Sequence, residues 1–173
     1  MTRFVFLAAI LVAAAQSASA EPRPMTASAY TLGEVHFAFD SSELPTSDND
    51  ALAPAATFAQ THADARIVLD AHCDPIGTAP YNVGLAIRRA ETVRDRLISL
   101  GVPSEQVVFA VYGKAGADRP TYAEDRRVAL WATREPLADV ITRTFDGGGP
   151  AVTWEQPMTT AQVDAPPSPV AQR

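Results

Sequence analysis

An acid and a basic pair flank the turn in the stretch from Ala71 to Arg89, AHCDPIGTAPYNVGLAIRR. Asp74 stands where an apolar strand should end, and Arg88 and Arg89 stand about two turns into the helix that should follow. A carboxylate and a guanidinium held near each other on rigid elements form a clamp for a zwitterion. The acid takes an ammonium, and the planar fork of arginine takes a carboxylate bidentately. The competing reading is a structural salt bridge at a strand-helix junction, because such pairs also sit near clefts.

His72-Cys73-Asp74 contains the residue types of a nucleophile-base-acid set. Neighbours on a strand point to opposite faces, and catalytic triads are assembled in space rather than along three consecutive residues. Cys73 is the only cysteine, and His36, His62 and His72 fall on separate elements, so a zinc site lacks ligands. No activated nucleophile is visible. Neither a reaction nor a cofactor is expected, and Cys73 and His72 read as packed side chains.

These residues need a strand and a helix to hold them. Arg66 to Ala71 alternates as a strand, and Leu85, Ala86, Ala90, Val93, Leu97 and Leu100 recur at helical spacing over about 80–100. Gly101 and Pro103 stop that helix. Val35, Phe37 and Phe39 mark a first strand over about 33–39, with Phe37, Phe39 and Trp131 read as core aromatics. A first helix is expected from about Ser47 to Thr61, with Pro54 either in its first turn or kinking it. Val107 to Tyr112 reads as a buried third strand and Arg127 to Thr133 as a fourth. The order β-α-β-α-β-β predicts an α/β (α+β) two-layer sandwich, a four-stranded mixed sheet with two main helices on one face.

The ends read differently. Arg3, the apolar run from Phe4 to Ala15 and the small-residue site at Ser17-Ala18-Ser19-Ala20 predict a signal peptide over residues 1–20. The run is too short for a comfortable membrane span. No cysteine lies near Ala20, so the protein is expected to be exported but not lipidated. Residues 21–31 read as a flexible leader, 32–134 as the domain, and 135–173 as a Pro-rich, largely disordered tail with room for a short helix at 136–144. With 14 basic and 20 acidic residues the formal charge is -6, which argues against nucleic acid as the main partner.

Several stretches in order resemble the OmpA-like domain family. They are Val35-His36-Phe37-Ala38-Phe39-Asp40-Ser41, Ala71-His72-Cys73-Asp74, Tyr81-Asn82 with Leu85 and Arg88-Arg89-Ala90, Leu100-Gly101-Val102-Pro103, Tyr112-Gly113 and Asp125-Arg126-Arg127-Val128. The resemblance implies non-covalent binding of peptidoglycan through the diaminopimelate of its stem peptide, in the periplasm or cell envelope. It implies that Asp74 takes the ammonium and that Arg89, rather than Arg88, takes a carboxylate. It gives secondary ligand-binding places to Asp40, Cys73, Asn82 and Arg126. Asn82 has two readings, a ligand contact or a cap of the turn. Cys73 stands where the family usually has Thr or Ala, and the 113–124 connection is shorter than usual, with a reduced third helix. Two other readings compete: an envelope protein-protein adaptor on the same fold, and a hydrolase dependent on Cys73.

Overall fold

The computed structural model describes residues 29–154 apart from residue 49. The signal peptide, most of the leader and the tail from residue 155 lie outside these described residues.

The pairing of β2 (Arg66–His72) with β3 (Val107–Gly113) sets the topology. The two are parallel, so the chain must cross over between them, and α2 (Ala79–Ser99) makes that crossing. Thr78 caps α2 by accepting from the Tyr81 N–H, and Pro80 lies in the first turn, where a missing N–H costs nothing. At the other end Gly101 takes φ +91°, and the Val102 N–H reaches back to the Leu97 carbonyl at 3.0 Å. That is the glycine stop the sequence predicts.

β4 (Arg127–Thr133) pairs antiparallel with β2 and with β1 (Tyr30–His36). β1 therefore begins in the expected leader and ends before Phe39, three residues short of the expected end. The reason is a turn at residues 39–40, where Asp40 adopts φ +54°. Phe37 is core, but Phe39 is 60% exposed, so the core reading of Phe39 is corrected. The first helix is also shorter than expected. Two single 3-10 turns precede α1 (Ala53–Thr61), and Pro54 sits in its first turn. The late start removes the conflict that an interior proline would bring.

One face of the sheet packs against α1 and α2. Val35, Ile67, Leu69, Val111, Val128 and Leu130 meet Leu52, Ala55 and Ala59 of the first helical segment and Leu85, Ala90, Val93 and Leu97 of α2. This is the two-layer core the periodicity predicts.

The opposite face is covered too, which corrects the four-stranded, one-sided expectation. After β4 come α4 (Leu137–Asp146) and β5 (Ala151–Trp154), separated in the chain order from β3 only by the short α3 (Tyr122–Asp125) and β4. β5 pairs antiparallel with β3, giving the order β1-β4-β2-β3-β5. Val140 of α4 is buried against Val68, Val108 and Ala110. The disordered-tail expectation therefore fails for residues 137–146 and 151–154. An exposed apolar back face on β2 and β3 is what the short helix buries.

That back layer traps two titratable groups. Asp70 has one carboxylate oxygen with no hydrogen-bond partner, and burial pushes its carboxyl up to about 6, opposed by a Trp131 hydrogen bond and the charges of Arg143 and Arg127. His72 stacks on Tyr112 with ring centroids 4.7 Å apart, and burial lowers its imidazole to about 4. It is neutral at pH 7. Because folding raises the Asp70 pKa from 3.8, the ionised form is the penalised one. The penalty is absent below about pH 4, grows between about pH 4 and 6, and is complete above that. Asp70→Asn is therefore expected to raise the unfolding free energy by about 1–3 kcal/mol at pH 7 and by far less at pH 4, read by urea denaturation at both values.

Candidate functional site

Three segments converge where β2 ends. The first is the loop after β1, Ala38 to Ser41. The second is the turn after β2, Cys73 to Gly77. The third is the first three turns of α2, and Arg126 reaches in beside them from the position before β4. They enclose a cavity of about 170 Å³ lined by Phe39, Asp40, Cys73, Asp74, Ile76, Gly77, Tyr81, Asn82, Leu85, Arg89 and Arg126. The volume is close to that of an engineered cavity that holds one benzene-sized molecule, about 150 Å³. It suits a single amino-acid head group rather than a length of peptide.

The close approach of β3 to α2 makes this corner. Gly113 ends β3 at φ +57°, and a Cβ there would lie 3.2 Å from the Val83 N atom and 3.3 Å from the Asn82 carbonyl carbon. Any side chain would push the helix off the strand. The Gly113 carbonyl accepts from the Cys73 N–H at 2.7 Å, carrying the strand pairing one residue past β2.

Arg89 enters the cavity from α2 and is 0% exposed. Its Nε donates to the Ser41 carbonyl at 2.9 Å, Nη1 to the His72 carbonyl at 3.0 Å and to Cys73 Sγ at 3.4 Å, and Nη2 to the Ala38 carbonyl at 3.2 Å. Its guanidinium carbon lies 5.1 Å from the centre of the Phe37 ring. Four of its five N–H donors are thus engaged, leaving one Nη2 N–H without a protein partner among the described residues. Burial lowers its pKa, while Cys73, Asp74 and Asp40 act the other way, and a guanidinium stays charged at neutral pH.

Asp74 is 4% exposed and does not pair with Arg89. One oxygen accepts from the Ile76 N–H at 3.1 Å, fixing the turn, and the other lies 3.3 Å from Arg126 Nη1. Arg126 is anchored in turn by donating from Nε to the Phe37 carbonyl at 3.1 Å. The structure therefore brings Asp74 and Arg89 to one cavity, but it gives the direct ion pair to Asp74 and Arg126. Arg88, the other half of the basic pair, is exposed.

The remaining predicted residues divide by depth. Asn82 is buried, and its Nδ2 donates to the Ile76 carbonyl at 2.8 Å, so it caps the turn. Cys73 is buried and donates to the Asn82 carbonyl at 3.3 Å. Burial pushes its thiol up to about 11, Arg89 opposing, so it is not a thiolate at neutral pH. His72 points into the back layer, away from Cys73, so the two do not form a nucleophile and base. Asp40 is exposed at the rim and accepts from the Tyr81 hydroxyl. Tyr81 belongs to the stretch that carried the resemblance, but no sequence pattern assigned it a role. Its place at the rim follows from the first turn of α2 facing the β1 loop. Among the described residues no group of three or more His, Cys, Asp or Glu could hold a metal ion, and no helix is long and apolar enough to cross a membrane.

A model of the OmpA family matches residues 36–129. The chain belongs to the OmpA family. Its α4 and β5 lie outside the family match. This OmpA-family domain is 36% identical over 97 residues to the peptidoglycan-associated lipoprotein of Legionella pneumophila, covering 53% of this chain and 55% of that protein. It is 36% identical over 100 residues to the peptidoglycan-associated lipoprotein of Pseudomonas aeruginosa, covering 55% and 59%. The chain thus spans little more than half the length of these curated relatives. The crystal structure of the peptidoglycan-associated lipoprotein from Burkholderia pseudomallei matches with 31% identity and a TM-score of 0.52, over 58% of this chain and 90% of that one. The periplasmic domain of Helicobacter pylori MotB shares the fold at 18% identity and a TM-score of 0.52, over 65% and 79%. One expectation is overturned by these relatives. They are named lipoproteins, whereas the sequence reading had the protein not lipidated. That reading rested only on the absence of a cysteine around Ala20, which bears on that stretch alone.

Arg89 holds the loop after β1 and the end of β2 by their backbone carbonyls. Arg89→Ala is expected to lower the unfolding free energy by at least about 3 kcal/mol, because it removes the donors to the Ser41 and His72 carbonyls and empties the space of a fully buried side chain. Arg89→Lys is expected to recover little of it, since one ammonium cannot span the fork's partners. Arg88→Ala should fall within about 0.5 kcal/mol of wild type in the same urea titration.

Proposed function

We propose that this domain binds peptidoglycan non-covalently through the diaminopimelate of its stem peptide, and so tethers or positions its protein in the cell envelope. It performs no reaction in this reading and uses no cofactor. The observation that carries the reading is the charge of the cavity. Its lining holds two acids, Asp40 and Asp74, and two arginines, Arg89 and Arg126. The formal charges cancel, and both signs face one small space. Such a site rejects a net anion or a net cation and accepts a head group that carries both charges.

The far end of diaminopimelate has an ammonium and a carboxylate on one carbon. Asp40 and Asp74 take the ammonium. Arg126 and the remaining N–H of Arg89 take the carboxylate. Lysine in the same peptide position lacks that carboxylate and leaves the arginines unanswered, which costs affinity beyond the lost contact. The names of the peptidoglycan-associated relatives support the same polymer as partner.

One observation favours a second reading, an envelope protein-protein adaptor. α4 and β5 lie outside the family match and build a face that the matched residues do not supply.

Sedimentation with isolated sacculi tests the first reading, with an affinity expected on the order of micromolar. Asp74→Ala and Arg126→Ala are each expected to weaken binding at least about tenfold, and a lysine-containing stem peptide to compete about 10–100 times less well than the diaminopimelate form. If both variants sediment as the wild type does, the clamp is wrong, and a partner captured equally by both would point to the adaptor.

A further inference from the structure

The charged groups that the proposed ligand must meet lie deeper than the entrance to their cavity. Arg89 and Cys73 are sealed and Asp74 nearly so, whereas Phe39, Asp40, Ile76 and Tyr81 are exposed. The cavity therefore has a floor and a rim. The two sides of the rim are joined by one hydrogen bond, from the Tyr81 hydroxyl on α2 to the Asp40 carboxylate in the loop after β1.

The two partners are not equally free. Asp40 is held from below, because Arg89 grips the Ala38 and Ser41 carbonyls on either side of it and the Ser41 N–H bonds the Ala38 carbonyl at 3.3 Å. Its left-handed φ of +54° is part of that fixed turn. Tyr81 is 48% exposed, and among the described residues its tip is tied to the site by this bond alone. A rotation about its side-chain bonds is enough to part the pair, and exposed side chains make such moves within nanoseconds.

We propose that Tyr81 is the gate of this site: its hydrogen bond to Asp40 spans and narrows the mouth of the cavity, and an incoming ammonium displaces the hydroxyl from that carboxylate. This rests on the reading of the cavity as the ligand site. The exchange leaves Asp40 paired before and after entry, and because Asp40 is exposed, water can serve it while the pair is parted. The bond then acts on the rate of entry as well as on affinity, and it favours a ligand that brings a cation to replace the donor.

The native Cys73 thiol lies on the cavity floor and reports opening without any ligand. The test is the rate at which a small neutral thiol reagent modifies Cys73 at pH 8, in wild type, Tyr81→Phe and the control Tyr122→Phe, an exposed tyrosine that does not line the cavity, across low urea concentrations. Phenylalanine keeps the ring and removes only the donor. Tyr81→Phe is expected to react about 5-fold faster than wild type, at a rate independent of urea below the unfolding transition, and Tyr122→Phe to match wild type. Equal rates in Tyr81→Phe and wild type overturn the gate. So does a rate that follows global unfolding at every urea concentration. Stopped-flow association of a diaminopimelate-containing muropeptide is read on the same proteins, and Tyr81→Phe is expected to associate several-fold faster. Faster Cys73 modification with no muropeptide binding in either protein would keep the gate and defeat the proposed ligand instead.

Discussion

A guanidinium withdrawn from water costs several kcal/mol unless its donors are met. Arg89 meets this condition with backbone carbonyls rather than with a carboxylate. The choice of acceptor matters. Carbonyls on a loop and on a strand end fix where the two lie, whereas a carboxylate would only neutralise a charge. The loop after β1 and the end of β2 are thus positioned by one side chain from α2. Among the described residues the positive charge has no direct ion pair, and this leaves the cavity with a field that an anionic group can answer.

The rest of the corner follows from keeping α2 in place. The parallel pairing of β2 and β3 forces a crossover, and the crossover helix must begin beside the end of β3. Gly113 lets β3 and α2 touch, and Asn82 closes the turn between β2 and α2 by donating to the Ile76 carbonyl. Asp74 is spent in part on that same turn and in part on Arg126. An ion pair of this kind is built to be shared: each member keeps capacity for a further partner of opposite sign, so a zwitterion can enter without leaving either charge alone.

The back layer shows the same chain accepting a cost. α4 and β5 bury Val68, Val108 and Ala110, but they also enclose Asp70, whose carboxylate oxygen finds no partner. Apolar burial outweighs the desolvation of one acid, whose carboxyl is raised only to about 6 and whose charge Arg143 and Arg127 partly offset at neutral pH. β5 also covers the edge of β3, which would otherwise present unpaired backbone groups to other chains.

Much of this was legible in the residues. Period-two and helical spacing placed β2, α2, β3 and β4 within a residue or two, and Gly101 with Pro103 marked the helix stop, because these signals act between near neighbours. Spacing also brought Asp74 and Arg89 to one place, since a turn and two helical turns leave little freedom. The errors came where distant groups compete. The end of β1 was set by the turn at Asp40, which Arg89 holds from another element. Phe39 was left outside the core for the same reason. β5 was missed, and α4 was read only as room for a short helix with no place in the core, because a single helix and a four-residue strand gain their stability from a sheet face built elsewhere. The partner of Asp74 proved to be Arg126, fifty-two positions away in the chain. Local patterning determines elements and their faces, whereas the pairing of buried charges is chosen by proximity after folding, when desolvation makes every unmet donor and acceptor costly.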